Sequence, residues 1–486
     1  MQLDDPTLLR DKAYIAGEWV AADSGETFDV NDPATGELLA AIPHMGAAET
    51  RRAIEAAERA QIEWRRRTAK DRAVSLRGWF ELILQHKSDL AQILSREQGK
   101  PLVESEAEVL YGASFLEWFA EEGKRVYGDV IPPPSGDRRI VVTKQPIGVT
   151  GGITPWNFPT AMPARKAAPA LAAGCAMVLK PAEQTPLSAL ALAELAERAG
   201  MPPGVFSVVT GDRTTAADIG GELTGNPIVR KIGFTGSTPV GKLLMAQCAN
   251  QVKKISLELG GNAPFIIFDD ADLDEAVAGT VACKFRNSGQ VCISANRILV
   301  QDGIYDAFVE RMASAVSALK VGAGVEEGSQ VGPVIDDRGF EKVVRHVEDA
   351  RAKGAEVLIG GRPHERGRTF YEPTLLVGLT DDMQMAQDET FGPVAGIRRF
   401  STEAEAVRIG NDTPYGLAAY FYSRDVGRVW RVGEGLDYGI VGINTGIVST
   451  EVAPFGGMKE SGIGREGSKY GIDDWLEIKY LCMGGI

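Results

Sequence analysis

From residue 148 onward the chain repeats a strand and helix period that only a parallel sheet satisfies well. Short apolar and β-branched runs at 148–153, 177–179, 205–209, 231–234 and 255–259 alternate with helical spacing near 163–173, 187–199, 214–222 and 239–250. Five strands joined by helical crossovers predict an α/β fold with a doubly wound parallel sheet. Ligands of such sheets bind beyond the carboxyl ends of the strands. TPWNFP (154–159), KPAEQTP (180–186), FTGS (234–237) and LELGG (257–261) all fall at those ends, so one crevice is expected to be lined by all four.

The flanking segments read differently. Residues 14–20 and 28–30 alternate like an edge hairpin, with DPATGE (32–37) as a turn. Residues 47–120 keep helical spacing, broken once at 99–101, and no chemistry is assigned to them. Residues 130–134 form a proline-rich connector, and 139–143 a β-branched strand that leaves the main body as an arm. Past residue 261 a second α/β unit begins. A strand at 265–268 precedes a helix at 273–285, which leads into Cys292, and a strand at 297–300 leads away. Residues 475–482 alternate once more near the end.

Composition narrows the function. A length of 486 residues suggests three domains at roughly 150 residues each. A net charge of −14 offers no basic stripe for a phosphate backbone, which argues against nucleic acid. The odd count of five scattered cysteines favours free thiols in a reducing compartment, and so the cytoplasm. The first residues lack the basic start and apolar core of a signal peptide, and no apolar run approaches the ~20 residues of a membrane span. All four histidines sit among polar neighbours, which disfavours a Cys–His hydrolase.

Two segments carry the chemistry. FRNSGQVCISANR (285–297) presents a lone thiol, Cys292, with no second ligand at metal spacing, so a nucleophile is expected there and no metal. An isolated cysteine is more often an inert buried thiol; Cys292 gains weight from its company. Glu258 ends an apolar strand and is followed by two glycines, as suits a general base that a substrate approaches closely. For a dinucleotide, the glycine pattern SGIGREG (Gly462, Gly464, Gly467) is rejected, because it follows no strand and opens no βαβ unit. The better pyrophosphate site is Gly236 and Ser237, which open a helix marked by Pro239. Lys180 and Glu183 stand just after the second strand, where a carboxylate accepts from adenosine ribose hydroxyls.

TPWNFP, KPAEQTP, FTGS, LELGG, GQVC and ETFGP (389–393), in this order, resemble the NAD(P)-dependent aldehyde dehydrogenase superfamily from about Tyr14 to the end of the chain. The resemblance implies an NAD-binding domain (1–124 and 145–257), a catalytic domain (258–468) and a small β oligomerisation arm (125–144 and 469–486). It implies an oxyanion site from the Asn157 amide and the Cys292 N–H, with Trp156, Leu259, Glu389 and Phe391 at the cofactor. Glu183 would repel a 2′-phosphate, and NADP-using relatives tend to carry a small residue there. The expected cofactor is therefore NAD, with NADP as its alternative. Ser294, two residues past the nucleophile, replaces the second cysteine by which some semialdehyde dehydrogenases switch themselves off.

Arg165, Arg286 and the IVSTE segment with Ser449 and Thr450 match carboxylate-binding positions of succinate-semialdehyde dehydrogenases. The expected reaction is oxidation of succinate semialdehyde to succinate through a Cys292 thiohemiacetal and thioester. Glutarate and 2-oxoglutarate semialdehyde are the runners-up, and a catalytically silent binding protein of the same fold or a thiol esterase are the readings from other classes. The expected partners are a small semialdehyde and further copies of the chain, as dimer or tetramer, with neither nucleic acid nor membrane.

Overall fold

In the computed structural model, which covers residues 1–486, two sheets face each other across a crevice and a third, smaller sheet is built from separate stretches of chain. The first sheet is centred on five parallel strands in the spatial order Lys254–Glu258, Val229–Thr235, Val149–Ile153, Ala176–Lys180 and Phe206–Val208. Chain order reverses between Val149–Ile153 and Val229–Thr235. TPWNFP and FTGS therefore leave the sheet on either side of the switch point where doubly wound sheets hold ligands. Helices cover both faces, and Ala176–Lys180 is buried along its whole length, which is why it reads as a continuous apolar run.

Each edge of this sheet is closed by an antiparallel strand. Ala13–Ile15 pairs with Phe206–Val208 and carries Glu18–Val20 beside it. At the other edge Gly462–Ile463, within the rejected glycine pattern, pairs with Leu257 and Glu258.

The second sheet runs in the order Glu356–Ile359, Thr374–Val377, Val394–Phe400, Ala295–Gln301, Ala263–Ile267, Ala418–Tyr422 and Ile440–Ile443, parallel except at its first pair. Here the segments that reach the crevice precede their strands. Cys292 leads into Ala295–Gln301, and ETFGP leads into Val394–Phe400. LELGG connects the end of Lys254–Glu258 to the start of Ala263–Ile267. The crevice thus lies between the carboxyl ends of one sheet and the amino ends of the other. The third sheet joins Leu476–Gly484, Arg138–Pro146 and Asp129–Ile131, all antiparallel.

Several expectations need correction. Residues 47–120 fall within four helices, Ala47–Trp64, Ala69–Gln85, Lys87–Gln98 and Leu102–Glu122, not a block broken once. The first extra break contains neither glycine nor proline. It is made by a capping box in which Thr68 Oγ1 accepts the Asp71 N–H at 3.1 Å and Asp71 accepts the Thr68 N–H at 3.2 Å. At the second, His86 simply leaves the helical region (φ −101°, ψ 19°). Phe28 pairs not with residues 14–20 but, in Thr27–Asn31, with Leu38–Pro43 across the DPATGE turn. Asp129–Ile131 is an edge strand where a connector was expected to begin. His346 is 1% exposed within Asp337–Ala352, so it does not share the polar surroundings expected of all four histidines. No helix is long and apolar enough to cross a membrane.

Candidate active site

A cavity of about 400 Å³ opens in the crevice. Trp156, Asn157, Arg165, Gly236, Ser237, Leu259, Arg286, Cys292, Glu389, Phe391 and Ser449 all line it. Glu258, Lys180, Glu183 and Thr450 do not. Glu258 lies behind the wall, only 4% exposed, and Lys180 is also buried away from the cavity. Glu183 lines a separate, shallower hollow with Gln184, Asp212 and Arg213. KPAEQTP therefore does not share the cavity reached by TPWNFP, FTGS and LELGG.

Cys292 is presented by an unusual turn. Asn287 (φ 50°) and Ser288 (φ 55°) both adopt left-handed backbone, and Gly289 (φ 74°) continues it. Two such residues in sequence cost on the order of 1–3 kcal/mol each, so their surroundings must over-determine them. They do. Asn287 N–H donates to Glu104 Oε2 (2.8 Å), Ser288 Oγ to the Gly332 carbonyl (3.0 Å), and Gln290 Oε1 accepts the Ile335 N–H (2.9 Å). Gly261 allows the Cys292 carbonyl to pass close by, since a Cβ there would collide with that oxygen.

The Asn157 amide donates one N–H to the Gln290 carbonyl at 3.1 Å. Its second N–H is left for whatever occupies the cavity. Burial, with Glu389 adding to it, pushes the Cys292 thiol up to about 12. At rest it is a neutral thiol, and any nucleophilic chemistry needs a base.

Glu258, the carboxylate expected as that base, stands behind the cavity wall. It terminates Lys254–Glu258, and its buried Oε2 has no hydrogen-bond partner. Burial raises its carboxyl well above the ordinary range and Glu466 raises it further, while Arg165 and Lys166 pull the other way. Lys166 Nζ donates to Glu466 Oε1 at 2.6 Å. Arg165 Nη2 stands 2.9 Å from Glu466 Oε2, close enough for ion pairing but out of line for a hydrogen bond.

The residues at the switch point fit a dinucleotide. Ser237 begins Thr238–Ala249 without a side-chain cap, leaving its first-turn amides open to an anion. At Gly236 a Cβ would meet the Phe234 ring at 2.5 Å, so the backbone there is bare by necessity. The Trp156 and Phe391 rings meet edge to face, with centroids 5.5 Å apart, on the cavity wall. Glu389 Oε1 accepts the Gly261 N–H at 3.2 Å, and burial lifts its carboxyl to about 7.

At the other end the cavity is cationic and aromatic. The Arg165 guanidinium lies 4.1 Å from the centre of the Phe455 ring, and that of Arg286 lies 5.7 Å from Phe158. Both arginines have a buried Nε without a partner, as does the hydroxyl of Tyr111. Ser449 completes this end; Thr450 does not line the cavity and donates to Glu451 at 3.3 Å.

Residues that sequence reasoning left aside also reach the cavity. Lys100, Glu104, Glu108 and Tyr111 come from the helical segments to which no chemistry was assigned. A charged residue at the 99–101 break was the only signal for them. Glu466 lies inside the rejected glycine pattern, whose pairing beside Glu258 gives that run its place.

A doubly wound sheet opposed by a second sheet, with a thiol in the cavity between them, is the frame of a dehydrogenase. The chain belongs to the aldehyde dehydrogenase family, which it matches over residues 19–481. It is 62% identical over 486 residues to glutarate-semialdehyde dehydrogenase of Pseudomonas aeruginosa, with 100% of both chains covered. It is 60% identical over 484 residues to the NADP(+) succinate-semialdehyde dehydrogenase GabD of Escherichia coli, again with 100% of each covered. The crystal structure of succinate-semialdehyde dehydrogenase from Burkholderia pseudomallei superposes with a TM-score of 0.98 at 62% identity, covering 100% of each chain.

Proposed function

We propose that this aldehyde dehydrogenase oxidises an aldehyde that carries a carboxylate at its far end, succinate semialdehyde first, with NAD as hydride acceptor. Arg286 carries this reading. It lines the cavity with no carboxylate within ion-pair distance and with a buried, unpartnered Nε. Glu104 lies within electrostatic reach but makes no ion pair with it and accepts the Asn287 N–H, so the guanidinium donors are open to an anionic substrate. Arg165 Nε, the Tyr111 hydroxyl and Ser449 offer further donors at the same end.

In this reading Cys292 Sγ adds to the aldehyde carbon, and its proton passes to Glu258. Because Glu258 lies behind the wall, that proton moves through a water or after a turn of the Glu258 side chain. The oxyanion of the thiohemiacetal receives the free Asn157 N–H and the Cys292 backbone N–H. A bound nicotinamide supplies the hydride acceptor, seated by Trp156, Leu259, Glu389 and Phe391 and reached through Gly236 and Ser237. Once Glu258 has released the thiol proton to solvent, it draws a proton from the water that hydrolyses the thioester and passes it to the departing Cys292 sulfur, which releases the acid and restores the thiol.

NAD is favoured over NADP because the family resemblance aligns Glu183 with a position whose carboxylate would repel a 2′-phosphate. Arg213 stands 3.8 Å from Glu183 and offsets part of that charge, and the Escherichia coli relative is named for NADP(+), so NADP is the competing choice. Glutarate semialdehyde is the competing substrate, favoured by the name of the Pseudomonas aeruginosa relative. One methylene in a pocket is worth only ~1–3 kcal/mol. The chain is also expected to act as a homo-oligomer joined through its three-stranded arm.

The test follows nicotinamide reduction with succinate semialdehyde, glutarate semialdehyde and uncharged butanal, each with NAD⁺ and NADP⁺. The semialdehydes are expected to exceed butanal in kcat/KM by about 100-fold, the worth of a charge-assisted pair, and Arg286→Ala to remove most of that preference. Equal rates with butanal overturn the carboxylate reading.

A further inference from the structure

We propose that Lys100 is a positioning residue for this reaction: its buried ammonium fixes the main chain of Asn157 so that the Asn157 amide meets the oxyanion. The inference rests on the oxyanion reading of Asn157 given above and goes beyond it by naming what holds that amide in place.

Lys100 occupies the break between Lys87–Gln98 and Leu102–Glu122, where left-handed Gly99 (φ 94°) turns the chain inward. The side chain is 1% exposed. Its Nζ donates to the Asn157 carbonyl at 2.8 Å and to Glu108 Oε2 at 2.5 Å, and stands 4.0 Å from the centre of the Phe158 ring. Each contact bears on one turn of chain. Glu108 itself accepts, through Oε1, the N–H groups of Thr160 (2.9 Å) and Ala161 (3.3 Å), where Ala161–Ala173 begins. Lys100 and Glu108 thus grip the turn from Asn157 to Ala161 at its first carbonyl, its aromatic ring and its last amides.

The nucleophile's loop bonds to the same Asn157 carbonyl and to its side-chain amide. Asn287 Nδ2 donates to the Asn157 carbonyl at 3.0 Å, and the Asn157 amide donates to Gln290 at 3.1 Å. Lys100 is the only charged donor in this set and the only one from outside the two loops that carry Asn157 and Cys292. Stability does not explain it. A buried ion pair is often no better than two apolar side chains of the same volume, whereas a misplacement of about 1 Å at the reacting centre can cost about 100-fold in rate.

Lys100→Met keeps the length of the side chain and removes its donors. Its kcat for aldehyde oxidation is expected to fall about 10- to 100-fold, with KM for aldehyde and the Kd for NAD⁺, read by tryptophan fluorescence, within about twofold. Cofactor-free hydrolysis of p-nitrophenyl acetate at Cys292 uses the same oxyanion donors and is expected to fall by the same factor. In an Asn157→Ala background the Lys100→Met change should lower kcat by no more than about threefold, because a residue that acts through Asn157 has nothing left to position.

Full multiplication of the two single losses, or an unchanged kcat in Lys100→Met, overturns the role of Lys100. If Asn157→Ala alone keeps its kcat, it is the oxyanion reading that fails, and the two failures are thereby told apart. Should Lys100→Met not fold, Glu108→Gln retains an acceptor for Thr160 but weakens the grip on Lys100. A loss of about 3- to 10-fold that disappears on the Asn157→Ala background supports the role, and no loss overturns it.

Discussion

Burial and Glu389 push the Cys292 thiol up to about 12, so in the proposed reaction its base is the gate. Cys292→Ala should abolish aldehyde oxidation while NAD⁺ binding, read by tryptophan fluorescence, stays within about twofold. The active form of Glu258 is the carboxylate, and burial raises its carboxyl well above the ordinary range, so kcat should climb as pH rises through that raised value. Glu466→Gln removes the nearby negative charge and leaves Lys166 and Arg165 to favour the Glu258 carboxylate. The climbing limb should then move to lower pH; a limb that stays in place belongs to another group. His346 gives the opposite test, one of stability. Burial pushes it down to about 4 from 6.5, and its Nδ1 lies 2.9 Å from Thr390 Oγ1. As pH falls the unfolded chain takes up this proton first, so the contribution is complete above 6.5 and is lost as pH drops through about 4. His346→Asn should flatten the fall of Tm over that window.

In the proposed function the helix that opens after Ser237 holds a cofactor phosphate, and Gly236 keeps its approach bare. Gly236→Ala forces a methyl toward the Phe234 ring, and the Kd for NAD⁺ by fluorescence titration should rise about tenfold or more. Elements of this kind were legible, because the strand to helix alternation, the glycine before the helix and the apolar runs of buried parallel strands each leave a local mark. Other elements left none. The break at Thr68 is made by two side chains bonding to backbone, which looks in sequence like any polar pair on a helix. Lys100 and Glu108 reach Asn157 and Thr160 across 57 and 52 residues of chain, and a contact so distant has no periodicity to betray it. Glu466 was hidden for a different reason. Its glycine-rich surroundings read as a failed dinucleotide motif, while their role is to let a short strand pair beside Glu258. His346 was misread because its helix is charged on the side that faces solvent, and only the fold shows which side that is.

At the scale of the whole molecule the three-stranded arm is what a single chain leaves unfinished. Leu476–Gly484 and Arg138–Pro146 pair along nine residues, yet Ile478 is 72% exposed and Tyr480 59%, and Ile131, which the register sets on the same face of the sheet, is 43% exposed. Apolar side chains so bare, on a sheet with open edges, are what the proposed homo-oligomer would cover, and left uncovered they would invite uncontrolled edge pairing. A second copy of the chain is the occupant that the proposed homo-oligomer requires. Light scattering coupled to size exclusion should therefore give the native chain a mass of a dimer or tetramer. Ile478→Glu with Tyr480→Glu places two carboxylates on that surface, about 25 Å of strand that cannot then desolvate. The double variant should elute at a lower mass while each released subunit keeps the cavity between its own two sheets and still binds NAD⁺. An unchanged mass in the variant would move the interface elsewhere, and a native mass of one chain would leave the arm without the role proposed for it.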